Sequence, residues 1–160
     1  MRRHDRAITE PESIRELIES CDTIRLGFCD GNVPYIVPLS FGFEENGGVF
    51  TFYVHGAREG RRHELVKTAP YVCVEADVCR AFVVKADGSQ TADYKSFIGW
   101  GEICEVSGEE ALKGLELLCR HCGFDSVNCS DAVIEATCVE KITVREFTAK
   151  ERFKPILSDI

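Results

Sequence analysis

The 160-residue chain has no apolar run approaching the roughly 20 residues that a membrane-spanning helix needs. It has no GxxxxGK[ST] segment, which sets aside the P-loop nucleotide enzymes. Positive charge is scarce: 19 Lys and Arg stand against 27 Asp and Glu, for a formal net charge of -8. Such a balance argues against nucleic acid as a partner, because phosphate backbones call for a broad basic surface. Internal repeats, low-complexity tracts and linkers are missing, and the length is that of one ordinary domain. The opening "MRRHDRAITEPESIRELIES" carries charge but no apolar stretch, so it does not read as a secretory signal, and a cytoplasmic protein is expected.

What is abundant is cysteine. Nine residues, an odd number without an export signal, do not suggest a disulfide framework. Cys29, Cys73, Cys104 and Cys138 lie in apolar stretches and are expected to act as small buried hydrophobes. "CRHCGFDSVNC" places Cys119, His121, Cys122 and Cys129 close together, a combination that zinc or an iron–sulfur cluster can use. The spacing completes no standard two-pair site, however, and Cys119 and Cys122 also fit a helix stripe, so no metal is assigned.

Along the chain, "TEPESIRELIESC" predicts a helix with a Thr9–Glu12 capping box, Pro11 in the first turn, and Ile14, Leu17, Ile18 and Cys21 on one face. "DTIRLGFCD" predicts a strand. "VPYIVPLSFGFE" predicts a second, whose two prolines point to a sheet edge. "VFTFYV" is a third strand, and a short helix fits Arg61 to Thr68. "YVCVEADVCRAFVVK" is one long strand or two parted by a bulge, "GSQTAD" a loop, and "YKSFIGWGEICEV" a strand. A helix with a capping box at Ser107–Glu110 ends at Gly123, and "ATCVEKITVREF" is a last alternating strand. Antiparallel strands with few helices predict a mainly β fold, a closed barrel with peripheral helices.

Against the acidic background, "YVHGAREGRRHELVKTAP" is a positive island: Arg58, Arg61, Arg62 and Lys67 oppose only Glu59 and Glu64, four minus two. A strand end, a glycine turn and a helix start make a favourable anion site. Unpaired N–H groups and the helix dipole gather there, and arginine offers a fork matched to phosphate oxygens. Gly56 and Gly60 would let the backbone approach the anion. A solvated charged loop serving solubility is the competing reading. His55, at the end of the aromatic strand, is a candidate ligand contact or acid–base group. In "YKSFIGWG", alternation puts Tyr94, Ser96, Ile98 and Trp100 on one face, with Trp100 either stacking on a ring system or anchoring a core or interface.

In this order, "MRRHDRAIT", "RLGFCDGNVPYIVPLSFGFE", "FYVHGAREGRRHELVKTAPYVCVEAD", "YKSFIGWGEICEV" and "VEKITVREFTAKERF" resemble the nitroimidazole-resistance (Nim-type) proteins, within the wider pyridoxamine 5'-phosphate oxidase-like group of flavin-binding split β-barrels. The resemblance runs over essentially the whole chain. It implies a six-stranded antiparallel split β-barrel, a homodimer, and FMN bound between subunits. The flavin ring would lie along Val37, Pro38, Leu39 and Ser40. His55 and Gly56 would adjoin it, Arg61 and Arg62 would hold the phosphate, and Ser96 and Trp100 would contribute from the "YKSFIGWG" strand. The implied activity is FMN-dependent reduction of a small electron acceptor such as a nitroaromatic, with His55 orienting it or donating a proton. The tail's Lys150, Arg152 and Lys154 show no arrangement of the vitamin B6 oxidase substrate site, so that reaction is not expected. A flavin-binding module without turnover, acting as redox sensor or flavin store, is the alternative. A haem-binding barrel with His55 or His121 as axial ligand, or a deazaflavin-binding one, is a third.

Overall fold

The computed structural model describes residues 2–152, with Lys154 of the tail outside them. After a short 3-10 turn come β1 (Ala7–Ile8), α1 (Pro11–Glu19), β2 (Ile24–Asp30), β3 (Val33–Leu39), β4 (Gly42–Asn46) and β5 (Val49–Gly56). Then follow α2 (Arg61–Thr68), β6 (Tyr71–Val84), β7 (Gln90–Val106), α3 (Gly108–His121), α4 (Asp131–Ala136) and β8 (Cys138–Arg152). All pairings are antiparallel, in the order β3-β2-β6-β7-β8-β5-β4, with β1 beside β8.

The class is mainly β, as the sequence predicts. Eight strands replace the expected six because "VPYIVPLSFGFE" breaks at Ser40–Phe41 into β3 and β4, and because the two-residue β1 adds to β8. The hydrogen-bonded path does not close, which corrects the expectation of a closed barrel. The sheet nevertheless curls on itself. Leu26 of β2, Val74 of β6, Phe97 of β7, Ile142 of β8 and Phe52 of β5 share one buried core. A flat sheet could not bring those faces together. β3 lies at one end of the path, as its prolines require.

Two bulges interrupt the long strands, and the one on β8 keeps that strand facing the core. β6 slips between Cys79 and Ala81, the bulge that its length suggested. On β8 the extra residue is Arg145, which switches the inward positions from Ile142 and Val144 to Phe147 and Ala149. Gln90–Asp93, expected in a loop, extend β7 because they pair with Val84–Ala81 across a tight turn.

α1 buries Ile14, Leu17 and Ile18 as its stripe predicts, but it starts from Glu10 and neither capping box forms. At α3, Glu110 turns away from its cap because it accepts hydrogen bonds from Tyr53 Oη at 2.7 Å and Lys141 Nζ at 3.1 Å. Gly123 ends α3 as expected: at φ 82° it donates to the Arg120 carbonyl while Phe124 N–H reaches that of Cys119. α3 packs so closely that a Cβ on Gly42 of β4 would lie 2.3 Å from the Leu118 nitrogen. α4 was not anticipated. No helix among the described residues is long and apolar enough to cross a membrane.

Strand alternation also corrects the cysteine expectation. Cys138 is buried, but Cys29 and Cys104 are exposed and Cys73 is half-buried. The core-facing positions beside them are Phe28, Ile103, Val72 and Val74.

Candidate functional site

The positive island folds as its pattern predicts. β5 ends at His55 and Gly56, Gly60 takes φ 98°, and α2 begins at Arg61. The first helical bond is donated by Glu64 to the Gly60 carbonyl, so the N–H groups ahead of it point out of the helix start. The arginines, however, are not free charges. Arg61 pairs with Asp30 at the end of β2 and with Glu64. Arg58 pairs with Glu105 of β7 and donates to the Thr137 carbonyl at 3.1 Å. Arg62 pairs with Glu140 of β8.

The three arginines differ in kind. Arg61 is half exposed, so its carboxylate partners hold it weakly and leave it able to turn to another anion. Arg62 lies under the barrel rim, with its side chain 11% exposed against 0% for Glu140. Its guanidinium crosses Gly56 to get there; a Cβ on Gly56 would come within 2.1 Å of Nη2. Gly56 is therefore a glycine because an arginine lies over it. Glu140 also faces Cys138, whose Sγ stands 3.9 Å from Oε1 and 3.7 Å from His63 Nδ1. Burial holds the Glu140 carboxyl above its ordinary range, and Arg62 draws it back. His55 remains open to solvent, yet partial desolvation and then the Arg62 charge push it below its ordinary value. It is a neutral imidazole at neutral pH.

The other predicted residues sit on the two faces of the sheet. Val37 and Leu39 turn inward and pack against the core; Pro38 and Ser40 turn outward. The register runs Ile36–Gly27–Cys73–Trp100 across four strands, and Pro38–Arg25–Glu75–Ile98 in the next row. Ser96, Ile98 and Trp100 share the outer face while Phe97 is buried, as alternation predicts. Trp100 is 41% exposed and Ile36 65%, so the lone tryptophan does not fill this chain's core. Ser96 Oγ is buried without a hydrogen-bond partner, as are Thr91 Oγ1 and Asp93 Oδ2 on the same strand.

The structure thus gathers His55, Gly56, Arg61 and Arg62 at one rim, and Pro38, Ser40, Ser96 and Trp100 on the outer face. Sequence reasoning missed Glu140, Asp30 and Glu105 as partners of the arginines; each lies 31 to 78 residues away along the chain. His121, a candidate haem ligand, is committed elsewhere. Its Nε2 is 2.7 Å from the Cys21 carbonyl and its ring packs 4.2 Å from Phe41.

A family model described as pyridoxamine 5'-phosphate oxidase matches residues 10–151. The chain belongs to that family. Among solved structures it is similar to a candidate 5-nitroimidazole antibiotic resistance protein from Bacteroides thetaiotaomicron, with 26% identity, a TM-score of 0.80, and coverage of 91% of this chain and 86% of that one. The flavocytochrome Anf3 from Azotobacter vinelandii matches at 20% identity and TM-score 0.72, covering 99% and 75%. An FAD- and haem-binding protein from Mycobacterium smegmatis matches at 14% and 0.77, covering 93% and 74%. These last two support the fold. A search of curated protein sequences finds no match. This chain carries the family's fold from α1 to the end of β8.

Proposed function

We propose that the chain is a homodimeric FMN-dependent oxidoreductase that passes electrons to nitroaromatic compounds. The observation that carries this reading is the start of α2, where outward N–H groups adjoin a half-exposed arginine held by partly buried Asp30 and exposed Glu64. That is a receptor for a phosphate dianion. The orphaned Ser96 hydroxyl and the uncovered apolar row from Ile36 to Trp100 fit a ring system and a second subunit laid over the outer face. The similarity to the Bacteroides protein supports the choice of acceptor.

When bound, the flavin would supply the electron transfer. The chain's own residues do the rest. Arg61 exchanges Asp30 and Glu64 for the phosphate, and Arg62, tied to Glu140, keeps the rim rigid beneath it. His55, beside that rim, would orient the acceptor by donating an N–H hydrogen bond to a nitro oxygen and relay a solvent proton, its free ring nitrogen taking one from water as the N–H proton is given to a reduced nitro oxygen. Pro38 has no N–H to give its neighbour strand, so at the β3 edge the ring meets an apolar wall.

The test is an absorbance spectrum of the purified chain after FMN is added and the excess removed. Twin flavin bands in the wild type, lost in Arg61→Ala while circular dichroism stays native, support the site. A colourless wild type sinks the reading. Anaerobic reduction followed by a nitroimidazole then separates the two classes: reoxidation faster than in buffer alone supports an enzyme, and equal rates leave a flavin-binding module.

A further inference from the structure

Beneath the rim, α2 and β8 bring together three side chains, of which the flavin reading uses only Glu140, as the partner of Arg62. His63 is 9% exposed, and Cys138 and Glu140 are fully buried. One imidazole nitrogen, one sulfur and one carboxylate oxygen all lie within 4.8 Å of one another. We propose that His63, Cys138 and Glu140 form a binding site for one divalent transition-metal ion of the zinc type. Nothing in the proposed flavin chemistry requires this ion.

The separations are those of a metal site rather than of a chance cluster. Zinc bonds of roughly 2.3 Å to sulfur and 2.0–2.2 Å to nitrogen or oxygen, at tetrahedral angles, set ligand atoms about 3.5 Å apart. Cys138 Sγ stands 3.7 Å from His63 Nδ1 and 3.9 Å from Glu140 Oε1. A few tenths of an ångström of closure would bring Cys138 Sγ to ligand spacing from both partners, and the His63 and Glu140 ligand atoms lie within 4.8 Å of each other. Thiolate, imidazole and carboxylate together select zinc, cobalt or iron(II) over magnesium and calcium, which want oxygen alone.

The surroundings are arranged for such a ligand set. Arg62 bonds Oε2 of Glu140, which leaves Oε1 aimed at the thiol; it is a positioning residue for the carboxylate. β-strand alternation fixes the other geometry, since Cys138 and Glu140 are two apart on β8 and therefore point to the same side. The thiolate is the ligand form, so uptake of the ion would release the Cys138 Sγ proton to solvent. The thiolate, the Glu140 carboxylate and nearby Glu105 set three negative charges against the ion and the Arg62 and Arg58 guanidiniums paired there. Three protein ligands leave one tetrahedral position to solvent or to an exogenous ligand.

The experiment uses the full chain, stripped with chelator, loaded with cobalt(II) and then desalted. The expected result is one cobalt per chain, with tetrahedral visible bands and a near-ultraviolet thiolate-to-metal band, all displaced by zinc. Cys138→Ala is expected to abolish the thiolate band and the retained metal, and His63→Gln to weaken retention at least tenfold, with native circular dichroism in both. Because half-buried Cys119 and exposed Cys122 and Cys129 offer other thiols, a Cys119→Ala/Cys122→Ala/Cys129→Ala variant must keep the signal. Wild-type chain that retains no cobalt or zinc overturns the proposal, as does metal lost in the triple variant but kept in Cys138→Ala. Should Cys138→Ala fail to fold, His63→Gln and the triple variant decide between the same outcomes. Flavin content, read by its own absorbance on the same samples, keeps a failure of this site distinct from a failure of the flavin reading.

Discussion

Replacing Arg62 by alanine separates its structural role from any part in binding phosphate, provided that the measurement is made on flavin-free, metal-free chain. Glu140 has no exposed surface and Arg62 is the cation bonded to it. Removing one partner of a buried pair leaves an uncompensated charge, at a cost of about 3–5 kcal/mol. For a domain of this size each kcal/mol moves Tm by roughly 2–4 °C, so a fall on the order of 10 °C is expected. The deficit also depends on pH. Burial already holds the Glu140 carboxyl above the ordinary 4.5, and Arg62 is among the groups that lower it. Without Arg62 the folded-state pKa rises further. A group whose folded pKa is raised contributes stability below its unfolded pKa and loses it as pH rises through the folded value. The deficit should therefore be larger at pH 7 than at pH 5. Urea unfolding at the two pH values measures it, and Arg62→Met/Glu140→Leu should recover most of the loss. A deficit under about 1 kcal/mol, identical at both pH values, would refute the buried-pair argument.

Gly42→Ala puts a Cβ 2.3 Å from the backbone nitrogen of Leu118, which no side-chain rotation relieves, so thermal unfolding should show a loss of about 1–3 kcal/mol or more; an unchanged Tm would mean that α3 does not pack there. The His55 ring should titrate below 6.5, followed by its NMR ring protons, and its midpoint should rise in Arg62→Ala. Because its folded pKa is depressed, the stability linked to it is present above 6.5 and fades as pH falls through the folded value, a dependence that His55→Gln should flatten. Trp100→Ala, on a 41% exposed face, should leave the chain folded yet shift sedimentation toward monomer; an undisturbed dimer would count against pairing through that face.

Much of the fold was legible because it is local or periodic. Prolines at 34 and 38 marked β3 as an edge, alternation in "YKSFIGWG" sorted Phe97 inward and Trp100 outward, and Gly123 marked the end of α3. The break at Ser40–Phe41 was not legible, since it is set by which strands each half joins: β3 pairs with β2, and β4 with β5. The site divides in the same way. The order His55, Gly56, Arg61 and Arg62 was readable as an anion-binding pattern. Its neutralisation by Asp30, Glu105 and Glu140 was not, because those carboxylates arrive from β2, β7 and β8. A local charge count shows an excess of two where the folded chain has four ion pairs on three arginines. His63 and Cys138 meet across 75 residues, and no spacing rule reaches that far.

The place of β8 in the sheet has a consequence for how the chain assembles during synthesis. β8 bridges β7 to β5 and also carries β1. Without it, the described strands fall into two rafts, a β3-β2-β6-β7 meander and a β4-β5 hairpin, tethered by the link at Ser40–Phe41. The hairpin emerges from the ribosome roughly 85 residues before the strand that will cover its open side, on the order of ten seconds of translation. Phe50 and Phe52 travel uncovered through that interval. The nascent chain is then most exposed to aggregation just before β8 appears, and a helper that shields the hairpin would act in that window.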